Sequence, residues 1–239
     1  MASTSEVGHA KNVANFQNLM AFVNGYGATY NPSKNDLSRP KLEALYAQAN
    51  AHVAEVINKN TAYYNAVNQR VEAFSGLRSL STRLVNALES TNASKEKIDD
   101  AKGFNRKMQG RRASKKEVST DPNQPAAPKT ISASQQSTVQ MIQHFEGLIS
   151  VLQSESSYTP NESELSMEVL QSKLQELKVK NEQVAKAYTA VSNARVARDK
   201  TLSNMINIAA EVKKYVKSVF GANSPEFAQI KGIPFKKEQ

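Results

Sequence analysis

The chain has no cysteine and no tryptophan, and its 239 residues include only nine glycines and three histidines. Without cysteine it can form no disulfide, thiolate zinc site, iron–sulfur cluster or cysteine nucleophile. Few glycines, no tryptophan and a hydrophobic share of 39% argue against a thick sheet-based core and favour extended helices, so an all-α protein is expected. The first residues, MASTSEVGHAKNVANFQ, lack the basic region and apolar run of a secretory leader. No stretch approaches the roughly 20 apolar residues of a membrane helix. Together these absences predict a cytoplasmic protein with no membrane span.

Several kinds of chemistry are also missing. Neither G-x-G-x-x-G nor G-x-x-x-x-G-K-[ST] occurs, so no phosphate-cradling loop is legible. His9, His52 and His144 have no second histidine four residues on and no Glu-x-x-His frame, and they read as surface or helix-boundary residues. Glu162, Glu164 and Glu168 fall where the second long helix should begin, and carboxylates are favourable at that end. No serine has a preferred base. The reading is of a non-enzymatic chain with no catalytic residue, metal ligand or cofactor.

What the chain does have is positive charge and a repeat. Its formal net charge is +9, and KGFNRKMQGRRASKK at 102–116 carries seven basic residues and no acid. Lys102, Arg106, Lys107, Arg111, Arg112, Lys115 and Lys116 would supply salt-sensitive, sequence-independent contacts to phosphates. The single aromatic there, Phe104, is fewer than base stacking would use.

The decapeptide TAYYNAVNQR at 61–70 returns as TAVSNARVAR at 189–198, with Thr, Ala, Asn, Ala and Arg in the same places. An offset of 128 also matches Tyr30 with Tyr158, Pro32 with Pro160, Leu37 with Leu165, Leu42 with Leu170 and Val56 with Val184. With one residue more, Phe16 matches Phe145, Leu19 matches Leu148, and Lys102-Gly103 matches Lys231-Gly232. This is the pattern of a tandem duplication: helical repeat 1 over 1–108, a basic Pro/Ser-rich linker over 109–135, and helical repeat 2 with a C-terminal tail over 136–239.

Each repeat reads as a short helix, a polar loop and a long helix. Val13, Phe16, Leu19, Met20 and Val23 recur at helical spacing, as do Val139, Ile142, Phe145, Leu148, Ile149 and Leu152. Asp36 and Ser163 are expected to cap the long helices, and Pro40 lies early enough to be tolerated. From Leu170 through Leu177, Asn181, Val184, Tyr188, Val191, Arg195, Arg198 and Leu202 to Val219, seam positions alternate four and three apart, as in a heptad coiled coil. The same phase runs from Leu42 to Leu88 in the first repeat. At about 1.5 Å per residue, a helix over 164–220 would reach on the order of 85 Å. Phase can survive a tight turn, so hairpins at 198–204 and at Ser75-Gly76 compete with a continuous or gently kinked rod. The absence of Gly and Pro from RVARDKTLSNMIN favours the rod. Arg70, Arg195 and Arg198 stand at seam positions and read as a polar layer, paired near Asp199 or Glu72.

Gly221 should end the last long helix. Beyond it Phe227, Ile230, Ile233 and Phe235 are apolar without helical periodicity, either docking on a neighbouring subunit or folding back on their own helix. The run from Lys213 to Lys237, with NARVARD before VKKYVKSVFG and a closing Lys-Gly-hydrophobic-Lys tail, resembles the ending of a group of uncharacterised basic helical proteins from Bacteroidota-type bacteria. The resemblance covers mainly 161–237 and implies no activity.

The expectation is therefore an elongated all-α bundle or coiled coil built from two short-helix–long-helix repeats. Its expected role is that of a scaffold assembling as a homo-oligomer or filament, or holding a protein partner. The alternative is a non-specific nucleic-acid-binding protein acting through 102–116 and Lys231, Lys236 and Lys237.

Overall fold

A computed structural model of the chain describes residues 4–110 and 136–236. Among them the elements are seven α-helices and short 3-10 turns: α1 (Thr4–Gly25), α2 (Arg39–Phe74), α3 (Leu77–Glu89), α4 (Lys95–Met108), α5 (Thr138–Gln153), α6 (Met167–Phe220) and α7 (Pro225–Lys231). No strand occurs among the described residues, so the fold is all-α. No helix there is long and apolar enough to cross a membrane. Most of the segment 109–135 read as a linker lies outside the described residues.

The residues gather into two compact units. Unit 1 comprises the described residues of 1–64 and 186–239, and unit 2 those of 65–185. The repeats expected above are read from sequence, whereas these are units of packing. Each takes a short helix and the first part of a long helix from one half of the chain, and the last part of a long helix from the other.

In unit 1, α1 lays Phe16, Leu19 and Val23, all without exposure, onto Leu42 and Ala49 of α2 and Met205, Ala209, Val212 and Val216 of α6. In α1 the apolar positions fall at helical spacing, so one face is buried. Burying each large side chain contributes about 1.5–3 kcal/mol. The two long segments run antiparallel, because His52 meets Thr201, Asn60 meets Arg195 and Tyr63 meets Tyr188.

Unit 2 has the same plan with an added helix. Phe145, Leu148 and Leu152 of α5 pack with Leu170 and Leu177 of α6, Leu77, Leu84 and Leu88 of α3, and Ala101 and Met108 of α4. Between α2 and α3 the chain bends at Gly76, which takes the left-handed φ of 75° that glycine adopts without strain. The bend is no hairpin. Gln69 bonds Lys180 and Arg83 bonds Glu164, so α3 keeps advancing as α6 retreats. A turn at 198–204 is absent too, for α6 is one helix of 54 residues.

Several sequence expectations need correction. Asp36 and Ser163 lie inside 3-10 turns, and the long helices begin after Ser38 and Ser166. The Ser166 hydroxyl accepts from the amide of Val169. The reason is the loop itself: Tyr30 donates its hydroxyl to the carbonyl of Leu37 at 2.8 Å, and Tyr158 to that of Leu165 at 3.0 Å. Each bond folds the loop into a 3-10 turn and delays the helix by a few residues. Burial raises both phenol pKa values, that of Tyr158 to about 12. Val139 is 52% exposed, unlike the rest of its stripe. Two helices were not foreseen. The charged stretch 95–108 forms α4, capped by Ser94, and part of the tail forms α7, capped by Ser224 with Pro225 in its first turn.

Candidate functional site

The seam arginines find partners within their own units. Arg70 donates to the Asn181 side-chain oxygen at 3.3 Å, which also accepts from Thr138. Arg195, exposed, donates to Asn60. Arg198 is buried and bonds Asp199 through both Nε and Nη2 at 2.9 Å. Asp199 is half exposed, so water screens this pair and its contribution is small. The seam is thinner here than the heptad pattern implies, since Tyr188 is 60% exposed.

The histidines depart from expectation. His9 and His144 are buried, and His52 is half-buried against the Thr201 hydroxyl at 2.9 Å. His9 lies 3.4 Å from Asp199. His144 Nε2 has no hydrogen bond, and burial, with Lys107 nearby, holds its pKa below the usual range, so it is neutral at pH 7. No group of three or more His, Asp or Glu able to hold a metal occurs among the described residues.

Of the seven basic residues at 102–116, Arg111, Arg112, Lys115 and Lys116 lie outside the described residues, as does Lys237 in the tail. Lys102, Arg106 and Lys107 are on α4. Lys102 pairs with Glu89, and Lys107 stands 5.5 Å from the Phe104 ring centre. Lys231 and Lys236 are exposed.

The four apolar tail residues are taken up by unit 1. Ile230 is fully buried in its core, and Phe227, Ile233 and Phe235 pack against it half-buried. The α7 helix explains the spacing that looked irregular, because Phe227 and Ile230 share its inner face. After it, 233–236 is non-helical and is bound by side chains of α1 and α6. Asn12, 3% exposed, donates to the carbonyl of Lys236 at 2.9 Å and accepts from its amide at 3.1 Å. Asn15 donates to the carbonyl of Pro234 at 2.7 Å. Lys213 donates to the carbonyl of Ile233 at 2.6 Å and more weakly to that of Lys231. The Phe235 ring meets Phe16 edge-on, centroids 6.5 Å apart, and lies 5.3 Å from the Lys213 ammonium. Burial pushes the pKa of Lys213 down.

Sequence reasoning found the tail but not its seat. A signal existed: His9 and Asn12 continue the apolar stripe of Phe16, Leu19 and Val23, and a polar group on a buried stripe requires a partner. No family model, curated protein or solved structure matches the chain.

Proposed function

We propose that this is a non-enzymatic scaffold protein that self-assembles, or holds a protein partner, through its long helices. The carrying observation is a face of α2 in unit 1 turned away from the core. Ala47, Asn50, Ala54, Ile57, Thr61 and Tyr64 alternate three and four apart, all exposed, with no charge among them. Ile57 is 57% and Tyr64 62% exposed. Solvated helix faces ordinarily carry charge, and an uncharged stripe at heptad spacing with large apolar side chains on it is what a second helix covers. The matched Tyr30–Leu37 and Tyr158–Leu165 bonds support the tandem duplication, and the buried seam positions of α2 and α6 support coiled-coil-like pairing within each unit.

The test is light scattering on a size-exclusion column at low and high salt, for the native chain and for Ile57→Glu with Tyr64→Glu. Oligomers that persist in salt and dissociate in the double variant are expected. A native chain that is monomeric at every concentration would remove self-assembly, leaving a partner protein as the occupant of the stripe.

A further inference from the structure

The C-terminal segment is held differently from the rest of the core. Asn12, Asn15 and Lys213, from α1 and α6, bond its main chain at the carbonyls of Lys231, Ile233, Pro234 and Lys236 and at the amide of Lys236. Asn12 pairs with both polar groups of one residue, as a neighbouring strand would. Side chains that grip a backbone in this way read its path rather than its sequence, and the selective element is the ring of Phe235 against Phe16 and Lys213. Such a surface has the parts of a peptide site: main-chain donors and acceptors, one aromatic seat and a flanking cation.

The piece that fills it is joined to α6 by a short hinge. Residues 221–224 make a turn between α6 and α7, with Gly221 at φ 95° and one long bond, 3.4 Å, from the Ser224 amide to the Gly221 carbonyl. An element seated by contacts that another copy can supply identically, and tethered by a short turn, exchanges between copies at little cost.

We propose that the surface made by Asn12, Asn15 and Phe16 of α1 with Lys213 of α6 is a binding site for an extended peptide of the form aliphatic–Pro–Phe–Lys. Residues 233–236 fill it in cis, and the same segment of a second copy fills it in trans. The site is separate from the exposed stripe of α2, so either can fail without the other.

The tethered tail competes at a high local concentration, so the test weakens it first. Full-length protein carrying Phe235→Ala is titrated with a fluorescent, end-blocked peptide of residues 231–236. Saturable binding is expected, with the same peptide carrying Phe→Ala binding at least about tenfold more weakly. An Asn12→Ala change in the acceptor should cost about another tenfold. A folded acceptor that does not bind the peptide, or binds both peptides alike, overturns the proposal. If the Phe235→Ala chain does not fold by circular dichroism, the absence of native cysteines supplies the deciding measurement. Chains carrying only Asn15→Cys are mixed with chains carrying only Pro234→Cys and oxidised. A disulfide-linked heterodimer supports exchange in trans, and its absence overturns it.

Discussion

The two units solve one problem with different chemistry. Each must hold a loop that leaves a short helix and enters a long one. Unit 1 does it mainly with aromatic rings, beside one exposed ion pair of Lys34 with Glu211 at 2.6 Å: Tyr26 lies 5.3 Å from Phe220 and donates its hydroxyl to the carbonyl of Glu226, and Tyr30 meets Tyr215 edge-on at 5.2 Å. Unit 2 does it with charge. Lys97 bonds both the carbonyl of Ser154 and the carboxylate of Glu155, whose other oxygen accepts from the amide and hydroxyl of Ser157. Where Asn15 stands in unit 1, the corresponding residue of unit 2 is His144, buried without a bond at Nε2. The balance of ring packing and charge thus differs between the two loops, and with it the response to acid and salt. Ring packing is indifferent to both, and ion pairs are not.

The largest effect should come from the shared part of the plan. Phe16→Ala and Phe145→Ala each remove a fully buried ring, and each should cost about 3–5 kcal/mol in denaturant unfolding. A much smaller loss at one of them would show that the two cores are not equivalent.

A more selective break lies between α4 and α5. A Cβ on Gly147 would run into the Phe104 ring, so Gly147→Ala must displace that ring. A loss of about 1–3 kcal/mol is expected, falling towards zero when Phe104→Ala is made as well. The corresponding position of unit 1 is the exposed Asn18, where alanine should change the melting temperature little.

The charged loop sets an acid limit for unit 2. Bonds from Ser157, then Lys97, hold the Glu155 carboxyl at about 2 in the folded chain, against about 4.3 when unfolded. Between those values the unfolded chain takes up a proton that the folded one does not. The stabilisation is therefore complete above about pH 4.5 and disappears as pH falls through about 2. Glu155→Gln should flatten stability against pH across that window, read by acid titration of the circular dichroism signal.

The smallest effect belongs to His144. Its pKa is depressed by burial and then by Lys107, so as pH drops below the ordinary histidine range only the unfolded chain binds the proton, and stability declines. His144→Asn, which installs the residue found in unit 1, should remove this slope between about pH 7 and 5. A slope that survives the substitution would place its origin in another group.

Much of this was readable along the chain, and the exceptions have physical causes. The stripe on α1, the apolar positions of α5 other than Val139, and the course of α6 follow from periodicity, because a helix buries one face whatever lies against it. Helix α4 was hidden because few of its residues are apolar: Ala101 and Met108 are buried, Ile98 and Phe104 partly so, among eight charged residues. Helix α7 was hidden by its seven-residue length, too short for a periodicity to register. The caps were displaced because a tyrosine seven residues before a leucine folds the loop, and only the paired hydroxyl and carbonyl reveal it.

The all-α class and the two long helices are written in the chain, since both depend on local spacing and on the near absence of helix-breaking residues. Which segments share a core is settled only by packing, because a heptad stripe states that it will be covered without stating by what. The same holds for Asn12, Asn15 and Lys213. Their carboxamides and ammonium would suit water equally well, and it is the main chain of residues 231–236, more than two hundred positions from the asparagines, that turns them into a seat.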